Sequence, residues 1–261
     1  VIVLEDKALY DGLAAFMLVS VRFGAMMLAA PFYSAAAISI PVRVLLTVTL
    51  SIVMIGAVPV PQVDVLSLQG AIALGREVLI GVAIGFVMQL AFAAIAVAGE
   101  QISFATGLGF AAMVDPQTGM QSPVIAQFLS VVLVLVFLSL DGHHVLLRQL
   151  AASFTVLPLG GTSLDPKMWL SILQSAALVF SAGFLVALPV VVALTLINLV
   201  VGMLTRLAPQ MNIFSVGFPV TILVGLVLMV ISVPGIGQSI SGLIEDAARR
   251  MREVVMAGAG A

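Results

Sequence analysis

Apolar residues run so continuously along this chain that its charges act as punctuation. Nothing is charged between Arg22 and Arg43, between Arg43 and Asp64, between Glu77 and Glu100, or between Asp115 and Asp141. Each gap is close to the roughly 20 residues that a membrane-crossing helix requires. Two further gaps, Lys167 to Arg206 and Arg206 to Glu245, are nearly twice as long. At about 1.5 Å of rise per residue, such a run reaches roughly 55 Å, well beyond a hydrocarbon core of about 30 Å. Pro189 is the strong breaker in the first long gap, and a lone proline kinks a helix more readily than it reverses one. The pattern predicts helices at about 9–31, 39–59, 67–98, 123–140, 144–156, 166–206 and 213–254. The last two form a hairpin of long, bent helices joined through Leu207-Ala208-Pro209-Gln210-Met211-Asn212.

The start of that hairpin is well marked. Ser163 or Asp165 can cap the orphan N–H groups, Pro166 suits the first turn, and Trp169 follows where an aromatic suits an interface. The connection between the third and fourth helices, Gly99 to Met120, is of another kind. It is apolar and rich in small residues, yet it is broken by glycines and by the Asp115-Pro116 turn signal. It is too apolar for an exposed loop and too interrupted for a lipid-facing span. Irregular backbone at membrane depth must be buried in protein or line a cavity. Gly81-Val82-Ala83-Ile84-Gly85 is a small-residue pattern that permits close helix contact, a weak signal in so apolar a chain.

Composition sharpens this into an all-α, integral membrane protein. Hydrophobic residues make up 62% of the 261 and charged residues 8%, against about 25% charged in a soluble domain. Mean hydropathy is +1.28. The net charge of −2 gives no reason to expect nucleic acid as a partner. There is no cysteine, which excludes disulfides, thiolate catalysis and thiolate metal sites. The first residues are acidic and lack the basic leader of a secretory signal, so the first apolar stretch is expected to stay in the mature protein. Arg249, Arg250 and Arg252 place the C-terminal end on the cytoplasmic side by the positive-inside rule.

Little in the sequence supports catalysis. Gly107-Leu108-Gly109 begins like a dinucleotide loop but lacks the third glycine and the preceding strand. No phosphate-loop lysine, Gly-x-Ser-x-Gly or His-Glu-x-x-His occurs. His143-His144 is the one histidine pair. Adjacent helical residues point about 100° apart, so Asp141-Gly142-His143-His144 reads as a polar turn rather than a metal site. Charges within apolar helices are costly and are candidates for function by default. Arg22, Arg76, Glu77 and Glu100 are therefore expected to face protein or an aqueous lumen. Arg43 belongs to the same set of costly charges, and the bland reading of all five is pairing with backbone or a neighbouring subunit, or snorkelling to an interface. A proton relay would need a chain of carboxylates or histidines, and none is visible.

Several motifs, in order and at consistent spacing, resemble the FliR family of flagellar export proteins. They are Gly107-Leu108-Gly109-Phe110-Ala111 with Val114-Asp115-Pro116, then Asp141-Gly142-His143, Leu157-Pro158-Leu159-Gly160, Ala187-Leu188-Pro189 and Asn198. The strongest is Arg206-Leu207-Ala208-Pro209-Gln210-Met211-Asn212-Ile213-Phe214-Ser215-Val216-Gly217-Phe218-Pro219. The resemblance implies a non-catalytic core subunit of a type III export gate in the bacterial inner membrane, within the flagellar basal body. Such a gate is built with FliP and FliQ, sits beside FlhB and FlhA, and passes unfolded flagellar proteins. It implies a FliP-like part over about 1–160 and a FliQ-like helical hairpin over about 161–261. It also implies a pore plug formed by Gly107, Leu108, Gly109, Phe110, Ala111, Met113, Val114, Asp115 and Pro116. Arg206, Pro209, Gln210, Asn212, Phe214, Gly217 and Pro219 would serve the hairpin turn and subunit contacts. No cofactor or metal is implied.

Three other readings compete. A subunit of a virulence-type III system shares most of these motifs; Pro-Gln-Met-Asn with Gly-Phe-Pro leans flagellar. A small-molecule secondary transporter should show repeated broken helices, and one irregular segment is visible. A scaffold without a conduit has no need of an apolar, irregular segment.

Overall fold

The structure, a computed structural model, describes residues 2–35, 38–59, 63–108, 124–207 and 217–260. Among these the chain is helical throughout: α1 (Ile2–Ala29), α2 (Pro31–Ser34), α3 (Ile40–Ile55), α4 (Leu68–Thr106), α5 (Val124–Ser139), α6 (Gly142–Val156), α7 (Lys167–Leu207) and α8 (Phe218–Gly258). Four helices are long and apolar enough to cross a membrane, or five when α5 and α6 together count as one broken span. The protein is an all-α membrane protein.

Most expected helices are present; α1 begins earlier than expected, at Ile2, and α8 runs on to Gly258, while three other boundaries moved for identifiable reasons. The expected helix 9–31 ends at Ala29, because Ala30 is extended (ψ 137°) and Pro31 opens the separate short α2. The expected helix 39–59 stops at Ile55, where Gly56 caps it. The third helix does not stop at 98: Gly99 to Thr106 is helical and extends α4 to 39 residues. Gly99 is not a breaker here but a contact point. A Cβ at Gly99 would lie 2.4 Å from Ala126 Cα, so the residue lets α5 touch the backbone of α4. At α7 the cap is Asp165, whose Oδ1 accepts the Lys167 N–H at 2.8 Å. Each of α7 and α8 continues through an internal proline, Pro189 and Pro234.

The chain divides into two compact units. Unit 1 comprises residues 1–90, 141–176 and 244–261, and unit 2 comprises 91–140 and 177–243. In unit 1, α1 crosses α4 backbone to backbone. A Cβ on Gly81 would lie 2.3 Å from the Arg22 carbonyl oxygen, and one on Gly85 would lie 2.8 Å from Ala29 Cβ and the Met26 carbonyl. Both sequence numbers rise together, so the helices run parallel at this contact. Leu18, Val19, Met26, Ile80, Ile84 and Met88 are fully or almost fully buried around it. At the entrance to α4, the Tyr10 hydroxyl donates to Asp64 Oδ1. That bond, with the Leu66 N–H, holds the Asp64 carboxyl below its ordinary range. Asp165 N–H donates to the Gly258 carbonyl at 3.1 Å, setting the start of α7 beside the end of α8.

Unit 2 is built on the second half of α4. Phe92 meets Phe137 of α5 edge to face at 5.4 Å, a favoured aromatic geometry. Gly183 of α7 sits against the Ala94 carbonyl, and Gly225 of α8 against the Thr106 side chain. Of the most apolar stretch of α4, 61% is buried within the chain, against 22% for α7 and for α8. So α4 is the most buried of these helices, while α7 and α8 present long apolar faces that the described residues do not cover.

Backbone contact at Gly81 and Gly85 gives the first test. Gly85→Leu should destabilise the detergent-solubilised chain by about 1–3 kcal/mol or more, the cost of overpacking a close contact. Gly75→Ala, on the same helix but with open space around it, should be neutral or stabilising by up to about 1 kcal/mol. Equal thermal unfolding of the two variants would show that the helices do not rely on this approach.

Candidate functional site

The Gly81–Gly85 contact also positions chemistry. Glu77 lies one turn before Gly81 on the same face of α4, and Arg22 supplies the carbonyl that Gly81 touches. The same approach thus brings the two side chains together. Arg22 Nε donates to Glu77 Oε2 with both side chains fully buried. Arg22 Nη1 donates to Ser153 Oγ at 3.0 Å, and Nη2 to the Leu157 carbonyl at 2.8 Å. The guanidinium carbon lies 4.2 Å from the Phe154 ring centroid, within cation–π range. Every nitrogen of a buried cation therefore has a partner, the condition under which such burial is tolerated.

Arg76 joins the same cluster from the next position of α4. Its Nη1 donates to the Pro158 carbonyl at 2.8 Å and reaches Glu77 Oε1 at 3.4 Å; its Nε donates to the Ser163 carbonyl at 3.0 Å. Two cations share one carboxylate, so the cluster carries a net positive charge. Backbone carbonyls of the 157–163 turn balance it. That turn gives the Leu157-Pro158-Leu159-Gly160 motif a physical meaning: it presents carbonyls inward. Gly160 takes a positive φ of 77°, as a glycine readily does. At Gly161 a Cβ would lie 2.7 Å from Arg76 Cζ, so a side chain there would displace the guanidinium.

A second polar arrangement lies in unit 2, at the end of α4. The last carbonyls of a helix lack intrahelical partners, which is costly in apolar surroundings. Here Asn198 Nδ2 of α7 donates to the Ala105 carbonyl at 3.0 Å, and Thr221 Oγ1 of α8 to the Thr106 carbonyl at 3.3 Å. Gly107 follows with φ 84°, the left-handed conformation that ends helices. Two side chains from the hairpin thus finish α4 where the glycine-rich segment begins.

The expected site residues fall as follows. Arg22, Arg76 and Glu77 come together in one buried cluster; Glu100 is exposed on the chain. Gly107 closes α4 and Leu108 follows that turn, Arg206 is exposed near the end of α7, Gly217 is buried just before α8, and Pro219 is exposed within α8. Gly109, Phe110, Ala111, Met113, Val114, Asp115, Pro116, Pro209, Gln210, Asn212 and Phe214 lie outside the described residues. Ser153, Phe154, Ser163 and Thr221 were not singled out by sequence for these contacts. The hydrogen-bonded partners of Ser153, Ser163 and Thr221 are 87 to 131 residues away, and no local pattern carries such pairings. The histidine pair lies at the expected polar turn, with its rings closer than their adjacent positions suggest. Its rings approach to 4.1 Å between centroids, and one donor atom from each ring and an Asp141 carboxylate oxygen all lie within 4.8 Å of one another. The left-handed Asp141 (φ 54°) folds the start of α6 so that His144 Nδ1 sits 3.1 Å from Asp141 Oδ1. These three could hold a cation, and equally form the polar turn they make here.

An all-α membrane protein with a buried charge cluster and long apolar helices that the described residues leave uncovered is the class that these features define. Residues 13–247 match the family described as bacterial export proteins, family 1. The chain is 38% identical over 214 residues to the flagellar biosynthetic protein FliR of Pectobacterium carotovorum subsp. carotovorum, covering 82% of each chain. It is 34% identical over 234 residues to FliR of Escherichia coli K12, covering 90% of each. It is 29% identical over 228 residues to FliR of Bacillus subtilis 168, covering 86% of this chain and 88% of that one. The chain belongs to the FliR family of bacterial export proteins.

The two arrangements predict distinct losses. Glu77→Ala leaves two buried cations without their carboxylate and should cost about 3–5 kcal/mol. Arg22→Met combined with Glu77→Leu should cost less than the sum of the single changes, and additivity in a double-mutant cycle would show that the pair is not coupled. Thr221→Val should cost about 1–3 kcal/mol by leaving the Thr106 carbonyl unsatisfied. Protected exchange of the Ala105–Leu108 amides in that variant, unchanged from the parent, would show that the hydroxyl does not hold the end of α4.

Proposed function

We propose that this chain is a non-catalytic core subunit of the flagellar type III protein-export gate, helping to form and close the conduit through which flagellar proteins leave the cell. The observation that carries this reading is the uncovered apolar surface of α7 and α8. Each is 41 residues long, or about 60 Å at helical rise, twice the thickness of a hydrocarbon core. A single bilayer cannot cover helices of that length, so other protein chains are needed. Exposed Phe180, Leu185, Leu196, Leu223, Val230 and Ile231 show how apolar those faces are. FliP and FliQ are the proposed neighbours, with FlhB and FlhA beside them, in the inner membrane at the flagellar basal body. The FliP-like and FliQ-like parts are proposed to meet near residue 160.

In this reading the segment from Gly107 to Pro116 plugs the conduit at rest. Its support is indirect: the composition of the segment, and the anchoring of its first residues. Leu108, Phe110, Met113 and Val114 are apolar enough to exclude water and ions, and Asp115-Pro116 disfavours continuation of a helix. Asn198 and Thr221 tie the root of the segment to the hairpin, so its position would follow that of α7 and α8.

Deleting residues 108–114 should leave co-purification with FliP and FliQ intact and raise the resting leak of ions or small solutes through the assembled gate by tenfold or so, the change expected when a barrier of about 1.4 kcal/mol is removed. A deletion that assembles normally and leaks no more than the parent means that the segment is not a plug. Loss of FliP and FliQ from the purified species, in the unmodified chain, would overturn the gate assignment itself.

A further inference from the structure

A cavity of about 330 Å³ opens between α1 and α3, lined by residues that include Gly24, Leu28, Ile40, Val44 and Thr47, with Arg43 as the charged one among them. Its depth in the fold is informative. The α1 span ends at Ala29, so Gly24 and Leu28 belong to its final turns. Arg43 lies in the first turn of α3. The cavity therefore lies at the end of a helix long and apolar enough to cross a membrane. Its rim is apolar and open: Leu28 is 69% exposed and Ile40 71%.

Arg43 is only partly used by the fold. Its Nη2 donates to the carbonyls of Ser34 and Ala35, at 3.1 and 2.7 Å, closing the end of α2. Its Nε is buried without a hydrogen-bond partner, and no carboxylate pairs with it among the described residues. A cation in the first turn of a helix also opposes the helix dipole, so α3 gains nothing from it. This is the opposite of the Arg22 arrangement, in which every nitrogen is satisfied.

We propose that the α1–α3 cavity is a binding site for an anionic phospholipid, with an acyl chain along the apolar groove and the phosphate on Arg43. Charge selects the occupant. A neutral apolar partner would leave the guanidinium uncompensated, whereas a phosphate supplies the negative charge that no carboxylate among the described residues provides. The groove supplies the apolar contact that distinguishes a lipid from free phosphate. Gly24 keeps it open, since a Cβ there would meet only Thr47 Cγ2, at 3.7 Å. The inference rests on unit 1 alone and does not depend on the gate assignment.

The test uses the full chain, alone and in its assembled membrane complex, with Trp169→Phe and Leu28→Trp placing a single tryptophan at the cavity. Reconstituted vesicles contain brominated phosphatidylglycerol or brominated phosphatidylcholine at equal mole fraction. Phosphatidylglycerol should bind the site roughly fivefold better, the worth of one basic residue beside an anionic lipid, and quench accordingly. Arg43→Gln should abolish the preference, and Arg43→Lys should keep much of it. Gly24→Leu, which fills the groove while retaining Arg43, should reduce quenching to the level of bulk lipid, and it serves where Arg43→Gln fails to fold. Inorganic phosphate added at millimolar concentration should not compete; if it displaces the lipid effect, the site is one for a free anion. Equal quenching by the two lipids, or a preference that survives Arg43→Gln, overturns the proposal. Absence of quenching by either lipid in the assembled complex overturns it as well, since another protein chain then covers the cavity.

Discussion

The contact between α1 and α4 is the constraint on which unit 1 depends. Gly81 and Gly85 remove the side chains that would hold two helices apart, and the backbones meet. At that separation Arg22 can reach Glu77, and Arg76, the end of α6 and the turn that follows it close around the pair. The ion pair cannot stand in apolar surroundings by Coulomb attraction alone, because desolvating two ions costs more than most pairs recover. It stands because Ser153, the Leu157 carbonyl and the Phe154 ring complete the coordination of Arg22. The cluster thus recruits α6 and the 157–163 turn to the α1–α4 contact. Its value lies in register: a shift of one residue along α4 would bury an unpaired charge.

Unit 2 follows a different logic. Its helices are held on α4 through small-residue contacts and a few side-chain hydrogen bonds to the final carbonyls of α4. Most of the apolar surface of α7 and α8 is left over. Such surface is a poor design for a monomer in a bilayer, where a helix about 60 Å long would project far beyond the hydrocarbon. It suits a chain that completes its packing against neighbours. A first unit in which Arg22, Arg76 and Glu77 are tied into one buried cluster, and a second with most of its apolar helix surface left over, accord with the proposed role: one part fixes the chain, and the other offers surface for assembly.

Much of this was legible in the sequence, and the failures are instructive. Spacing between charges located α4, α7 and α8, because in so apolar a chain a charge is the strongest boundary signal there is. Capping chemistry placed the start of α7 to within a residue. The end of α4 was misjudged because Gly99 was read for its backbone freedom, whereas its role is to admit Ala126; a glycine at a helix crossing and one at a turn look alike in sequence. The grouping of Arg22, Arg76 and Glu77 was within reach only as separate costly charges, since the partners come from α6 and the following turn, more than 80 residues away. Thr221 gave no signal, being one hydroxyl among many. The motif segments were the most informative of all for family, yet several of their residues act through backbone carbonyls, which no side-chain reasoning identifies.

The central claim is that an exported chain passes alongside the segment that begins where α4 ends. Site-specific photo-crosslinkers at Phe110 and Met113, in a gate holding an arrested flagellar export substrate, test it most directly. The account predicts covalent adducts between both positions and the arrested chain, and none when the substrate is absent. Adducts to a partner subunit alone, in a complex where a crosslinker on that partner does capture the substrate, would contradict it.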